Sequence, residues 1–292
     1  MAAPASPLIA VTGATGKLGH AAVLALLDLV PPQHIVAVAR EPERAGDLAT
    51  RGVAVRRGDY DRPETIAAAL AGVDRLLIVS SNALGARLGQ HRALLVAART
   101  AGVGFLAYTS MLHADRSPAR LLAEHRETEA MIAGCGIPAA ILRNGWYNEN
   151  FLLGLPAARA SGQLVGAAGD GLFSAAAIAD LGEAGARILA APDPAPAVYE
   201  LAGDDAVPLS AVAAEMTRHA GRSIAYVDVS VADLEAGLRA AGLPAAVAEV
   251  IADADGAAAG GAFLDRSGTL GRILGRPTTP VAATIAAAFV KG

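Results

Sequence analysis

Three glycines, two basic side chains and a long alternation of strands and helices set the chemistry open to this chain. Gly13, Gly16 and Gly19 lie in the run Val11-Thr-Gly-Ala-Thr-Gly-Lys-Leu-Gly19. An apolar stretch over 8–12 precedes them and reads as a short buried strand, and 18–30 reads as a helix that is apolar on most faces. In such a turn Gly13 permits the tight reversal, Gly16 lets an anion approach the backbone, and Gly19 lets the helix pack against the sheet. The N–H groups that open the helix, together with its dipole, favour negative charge there. Gly13, Ala14, Thr15, Gly16, Lys17 and Leu18 are thus the expected cradle for the diphosphate of a dinucleotide.

The next strand, over 35–39, ends at Arg40. About 20 residues beyond the glycines, a site for a dinucleotide without a 2′-phosphate carries an Asp or Glu that accepts from the ribose hydroxyls. A guanidinium cannot accept those bonds, but its fork of donors suits a phosphate. Lys17 adds a second positive charge. NADPH is therefore expected over NADH. The spacing Gly-x-x-Gly-x-x-Gly also resembles the extended and atypical branches of the short-chain dehydrogenase/reductase superfamily.

The elements that must position these residues follow in rhythm: a helix over 43–51, a strand over 53–57, a helix over 63–71 with proline near its start, and a strand over 74–80. Then come a helix over 87–101, a strand over 104–109, a helix over 119–133 and a strand over 139–142. Continuous apolar strands spaced by helices imply an α/β fold, a Rossmann-type doubly wound parallel sheet covered on both faces. After Arg143 the rhythm breaks at Gly145-Trp-Tyr-Asn-Glu-Asn150, a polar-aromatic loop holding the only tryptophan. Further on, 198–201 returns a strand to the sheet, 210–220 is a helix with Ser210 as N-cap, 223–229 is a strand, and helices lie near 231–241 and 244–253. The expected division is an NADP-binding Rossmann domain over 1–150 and a smaller C-terminal α/β substrate lobe over 151–292, partly interleaved with the sheet.

Ligands of such sheets sit beyond the carboxyl ends of the strands. That rule adds Asp59, Ser80, Ser81, Asn82, Thr109, Ser110, Arg143, Asn144, Gly145 and Trp146 to the cofactor-binding expectations. Asp59 has two readings, one bordering the adenine beside Tyr60 and one as a turn or cap aspartate.

Composition limits the alternatives. With 53% hydrophobic and 18% charged residues, the 292-residue chain can bury a substantial core. A net charge of −4 with scattered basic residues gives no electrostatic surface for nucleic acid. The single cysteine, Cys135, excludes an internal disulfide and a multi-cysteine metal site, and its Gly-Cys-Gly setting reads as packing rather than as a nucleophile. No metal is expected. Residues 1–7 lack the basic and apolar regions of a signal peptide, and no segment supplies about 18 uninterrupted apolar residues. A cytoplasmic protein without a membrane span is the expectation.

Short-chain reductases of carbonyls resemble one another in a Tyr-x-x-x-Lys pair, which protonates the alkoxide as hydride arrives. In the extended branch a glutamate follows the lysine by four positions and precedes a strand ending in Arg-Pro-Gly. Laying Glu129 and Arg143 on that pattern puts His125 at the lysine position and Leu121 at the tyrosine position, so both catalytic residues are gone. A quinone accepts hydride to give a hydroquinone anion that water can protonate. It therefore suits a site that mainly holds two rings face to face. His113 and His125 remain the candidate proton donors, with a surface or helix-packing role the plainer reading of each.

Several segments together resemble a family. Gly13-Ala-Thr-Gly-Lys-Leu-Gly-His20, Gln90-His91-Arg92, Tyr108-Thr-Ser-Met-Leu-His-Ala-Asp115, Leu142-Arg-Asn-Gly-Trp-Tyr147, Gly166-Ala-Ala-Gly-Asp-Gly171 and Leu274-Gly-Arg-Pro-Thr-Thr279 look like the bacterial NAD(P)H:quinone oxidoreductases of type 2. These are atypical short-chain reductases of the NmrA-like group. The resemblance runs almost end to end. It implies NADPH at Gly13–Leu18 and Arg40, with the Asn144-Gly-Trp-Tyr147 loop near the nicotinamide and substrate. Trp146, Tyr147 and Phe151 then either offer apolar faces to a quinone ring or pack the lobes. The implied function is NADPH-dependent reduction of a small-molecule quinone by direct hydride transfer without flavin or metal. A redox-sensing regulator that binds NADP(H) without turnover is the alternative. The sequence leaves the oligomeric state open.

Overall fold

In the computed structural model, residues 6–83, 85–117 and 119–290 are described, so most of the segment read for a signal peptide lies outside them. The chain begins β1 (Ile9–Val11), α1 (Lys17–Leu27), β2 (Ile35–Ala39), α2 (Gly46–Thr50), β3 (Ala54–Arg57), α3 (Pro63–Ala69), β4 (Arg75–Ile78) and α4 (Arg87–Thr100). It continues β5 (Phe105–Met111), α5 (Ala123–Ala133), β6 (Ala139–Asn144), α6 (Leu155–Ser161), β7 (Gln163–Gly166), α7 (Ile178–Ala190) and β8 (Ala197–Leu201). Last come α8 (Leu209–Ala220), β9 (Ala225–Asp228), α9 (Val231–Ala240), α10 (Ala245–Ala259), α11 (Thr269–Leu274) and α12 (Val281–Val290).

Seven strands form one sheet in the order β3-β2-β1-β4-β5-β6-β8, and β1 pairs in parallel with both β2 and β4. The strand order reverses at β1, which is the switch point of a Rossmann-type fold. β1 and β2 are fully buried because helices cover both faces of the sheet, as their unbroken apolar sequences require. The strand expected over 198–201 does join the sheet, at its edge beside β6. A second, two-stranded parallel sheet pairs β7 with β9.

The chain divides into two units. The first comprises Met1–Ser110, Glu124–Arg143 and Ile178–Tyr199, and the second comprises Met111–Ala123, Asn144–Ala177 and Glu200–Gly292. The first unit takes in α7, whose Gly182 lies so close to α1 that an added Cβ would stand 2.8 Å from the Ala21 methyl and the Ala22 nitrogen. The second is built around Phe173, Phe263, Leu209, Met216 and Ile285, all buried.

Some local expectations are corrected. Ser210 does not cap α8: the helix starts one residue earlier, on buried Leu209, with Pro208 in extended backbone at the cap. Ser230 is the serine that caps, its hydroxyl accepting from the Asp233 N–H at the start of α9. The helix expected over 119–133 is a 3-10 turn at Arg120–Leu122 followed by α5, and the loop after Gly145 passes into a 3-10 helix at Asn148–Gly154.

Candidate functional site

The glycine turn joins β1 to α1 with Gly13 at φ +61°, a conformation that only glycine adopts freely. The Gly16 N–H donates back to the Gly13 carbonyl at 2.9 Å, and the Ala14 N–H donates to the Val38 carbonyl of β2 at 3.1 Å. A Cβ on Gly19 would sit 2.3 Å from the Gly13 carbonyl oxygen, closer than any real contact, so the first turn of α1 reaches the strand end only because residue 19 has no side chain. Behind the turn, the Tyr60 hydroxyl donates to Thr12 Oγ1 and lies within hydrogen-bond distance of the Val79 carbonyl, while Thr12 Oγ1 accepts from the Val79 N–H. Burial holds the Tyr60 phenol well above its usual range, so it stays a donor.

Beyond these strand ends opens a cleft of about 300 Å³ within the first unit. Gly13, Thr15, Arg40, Asp59, Ser81 and Asn82 line it, and all six were expected from the sequence. Ala14, Gly16, Lys17 and Leu18 instead form the turn and the opening of α1, and Ser80 is tied by its N–H to Thr109 Oγ1 at 2.9 Å. Tyr60 lines the cleft too, together with Arg44, Glu41, Asp61 and Gln90, which were not expected there. Arg44 had a signal: it follows Arg40 by one helical turn in Arg40-Glu-Pro-Glu-Arg44. Glu41 stands 3.7 Å from Arg40 Nε and 3.9 Å from Arg44 Nη1, with all three side chains largely exposed. Such a surface arrangement holds its cations weakly and leaves both guanidinium groups available to a phosphate.

Asp59 lines the cleft, and its carboxylate accepts from the Asp61 N–H in the turn after β3. The Ser81 wall of the cleft is held from behind. His91 Nε2 accepts from the Ser81 N–H at 3.1 Å, and Ser81 Oγ donates to Gln90 Oε1. His91 Nδ1 meets Thr128 Oγ1, whose own proton goes to the Glu124 carbonyl, so His91 carries its proton on Nδ1. Burial, and then the charge of Arg87, push the His91 imidazole down to about 4.

The other expected polar residues of the first unit are engaged deeper in the fold. Ser110 Oγ donates to Glu129 Oε1 at 2.5 Å, and Arg143 holds the same carboxylate through two nitrogens at 3.0 and 2.7 Å. His125 is buried with Nδ1 2.9 Å from the Tyr108 hydroxyl. Burial, with Arg87 and His91 nearby, lowers it to about 3. At neutral pH His125 is therefore an uncharged imidazole within the helix–sheet core, paired with Tyr108.

In the second unit the loop after β6 is fixed by the Gly145 N–H donating to the Leu201 carbonyl at 2.7 Å; a Cβ on Gly145 would stand 3.0 Å from the Ser174 carbonyl. Trp146 is half-buried against Phe263, with ring centroids 5.2 Å apart, and Phe263 stacks on Phe173 at 5.8 Å. Phe151 meets Phe173 edge-on from inside the core, whereas Tyr147 is half-buried. Burial holds the Tyr147 hydroxyl above its ordinary range. Asn144 is buried with its side-chain amide against the Tyr147 hydroxyl. His113 lies in the same unit, buried beside a separate cavity. Among the described residues no cluster of His, Cys, Asp and Glu could hold a metal ion, and no helix is long and apolar enough to cross a membrane.

The fold and this site together define a dinucleotide-binding α/β protein of the short-chain reductase type. The chain belongs to the NmrA-like family, whose sequence model matches residues 5–264. It is 46% identical over 97% of its length to quinone oxidoreductase 2 of Escherichia coli K12, covering 99% of that protein. The crystal structure of the NADPH-dependent quinone oxidoreductase from Escherichia coli, complexed with NADPH, matches with a TM-score of 0.93 at 46% identity over 96% of this chain and 99% of that one. Triphenylmethane reductase from Citrobacter sp., complexed with NADP(H), matches with a TM-score of 0.91 at 34% identity over 96% and 99% of the two chains.

Proposed function

We infer that this chain is an NADPH-dependent quinone reductase. The observation that carries the cofactor choice is the pair Arg40 and Arg44 at the cleft after β2, with Arg40 at the strand-end position that carries a ribose-binding acid in sites for NADH. The residues fit the group: a glycine turn that a Cβ would fill, the start of α1 for the diphosphate, and two guanidinium groups for the 2′-phosphate. When bound, NADPH supplies the hydride. The chain's own part is to hold, orient and screen. Lys17, Thr15 and the first N–H groups of α1 would take the phosphates, and Ser81 and Asn82 wall the cleft. No Tyr-x-x-x-Lys pair stands at the expected positions, which suits an acceptor whose reduced anion needs no strong acid. The relative's substrate class supports a quinone, and a cytoplasmic setting accords with it.

The experiment is NADPH oxidation with 1,4-benzoquinone and 1,4-naphthoquinone, set beside direct cofactor binding. Quinone-dependent turnover is expected. Tight NADPH binding with no turnover on any quinone would favour the regulator instead. Replacing both arginines, R40D with R44A, should cost roughly tenfold to a hundredfold in NADPH affinity, from about 1.5–3 kcal/mol of charge-assisted bonding, with NADH affinity little changed. An unchanged NADPH-to-NADH ratio would remove the two arginines from the cofactor site.

A further inference from the structure

Among the described residues His113 is the non-glycine residue held at positive φ, at 55°. A left-handed conformation is disfavoured for any residue with a Cβ and persists where surrounding contacts impose it. Here they are visible. The His113 N–H donates to Glu200 Oε2 at 3.0 Å, and its carbonyl accepts from the N–H groups of Arg116 and Ser117 at 3.1 and 3.0 Å. The turn fixes an imidazole that is only 4% exposed, yet its Nε2 makes no hydrogen bond. The facing carboxylate, Asp265, holds Oδ1 at 3.8 Å, beyond hydrogen-bond reach, and gives Oδ2 to the hydroxyl and N–H of Ser267.

His113 lines a cavity of about 500 Å³ within the second unit. The opposite wall is almost devoid of bulk, formed by Gly256, Ala257, Gly260, Gly261 and Leu264, with Arg116 beside the histidine. Small residues leave room for a flat body, and the polar groups at the histidine side are donors. The matching ligand is planar and apolar, with hydrogen-bond acceptors and no donors of its own. A quinone has that form, with carbonyl oxygens on the edges of a flat ring.

We propose that this cavity is the acceptor pocket and that His113 Nε2–H donates to a carbonyl oxygen of the bound quinone. The proposal rests on the quinone-reductase reading and assigns it a place and a residue. A small rotation about χ2, a soft torsion, turns the ring nitrogen from the protein interior to the cavity wall. After hydride addition the acceptor is a hydroquinone monoanion. The same N–H stabilises the oxygen that carries the new charge, and water supplies the second proton. Asp265 and Glu200, on the far sides of the imidazole and its backbone, keep the turn oriented.

The test is a binding titration that needs no turnover. Quinones quench indole fluorescence, and Trp146, the chain's only tryptophan, reports 1,4-naphthoquinone binding to protein saturated with NADP⁺. Two variants probe the pocket independently. H113G removes the donor and relaxes the backbone at the same time. G260F fills the cavity from its exposed wall, where a Cβ meets nothing nearer than the Ala257 carbonyl at 3.4 Å. Loss of one neutral hydrogen bond predicts a roughly three- to tenfold weaker quinone Kd and a matching rise in KM for H113G, with the NADPH Kd unchanged. G260F should weaken quinone binding at least as much. If H113G destabilises the fold, H113N keeps a residue that accepts left-handed backbone and supplies the donor-shortened comparison. Wild-type Kd in any correctly folded variant overturns the proposal. Failure of the underlying reading is separate: wild-type protein would then oxidise no NADPH with quinones, whatever the titration shows.

Discussion

His125 and His113 are both buried histidines, and the protein treats them in opposite ways. In the first unit, His125 shares a hydrogen bond with Tyr108, His91 is fastened between Ser81 and Thr128, and Arg143 grips Glu129 through two nitrogens. In the second unit, His113 is held in left-handed backbone with Nε2 3.8 Å from Asp265 Oδ1, too far for a hydrogen bond, and Asn148 Oδ1 is buried without one. Buried polar groups are normally satisfied because an unmade hydrogen bond costs about 1–3 kcal/mol. The first arrangement therefore builds a rigid frame, and the second carries a standing cost that a bound molecule can relieve.

The largest effect should come from breaking the frame. E129A strands the nearly buried Arg143 guanidinium from its carboxylate and removes the acceptor of Ser110, and chemical denaturation should show a loss of about 3–5 kcal/mol. A loss near zero would mean that the frame is not what stabilises this unit. The next comparison is direct. Y108F should cost about 1–3 kcal/mol by leaving His125 Nδ1 unpaired, whereas H113G should stay within about 1 kcal/mol of wild type, because relief of the left-handed strain offsets the lost contacts. Equal losses in the two variants would erase the distinction between the regions.

The smallest effect near neutral pH is the response to acid. His91 and His125 have folded values lowered to about 4 and about 3 from the usual 6.5, so below pH 6.5 the unfolded chain takes up protons that the folded one refuses. Their contribution to stability therefore shrinks as pH falls through that window. Asp255, in the second unit, runs the other way. Burial raises it to about 6 from 3.8, so its folded form binds the proton first and gains stability as pH drops from 6 towards 4. Hydrogen exchange between pH 7 and 4 should therefore show the first unit loosening more than the second; uniform loosening would contradict the assignment.

Much of this was legible in the sequence for identifiable reasons. The glycine turn, Arg40 and the parallel sheet depend on local patterns that span one strand–helix unit each. Glu129 and Arg143 are legible only as landmarks of the short-chain reductase pattern, and their ion pair emerges in the fold. What escaped depended on distant partners. Helix α7 contains Gly182 and Gly185, which lower intrinsic helix propensity, and it forms where Gly182 meets α1 and Gly185 faces Leu77 and Leu142. Strand β7 has four residues and exists through pairing with β9 some sixty positions on. Nothing local to Leu112-His-Ala announces a left-handed histidine, and Arg44 becomes a cleft residue only once the turn after β2 is folded.

The first unit is assembled from three separated stretches of chain, the last being Ile178–Tyr199. During synthesis on the ribosome, α1 therefore waits for α7 while the intervening stretches of the second unit emerge. Until then the Ala21–Ala22 face, shaped to take Gly182, is uncovered. Domains gain their cooperativity as whole units. A nascent chain already displaying the entire glycine turn thus still lacks a finished cofactor fold.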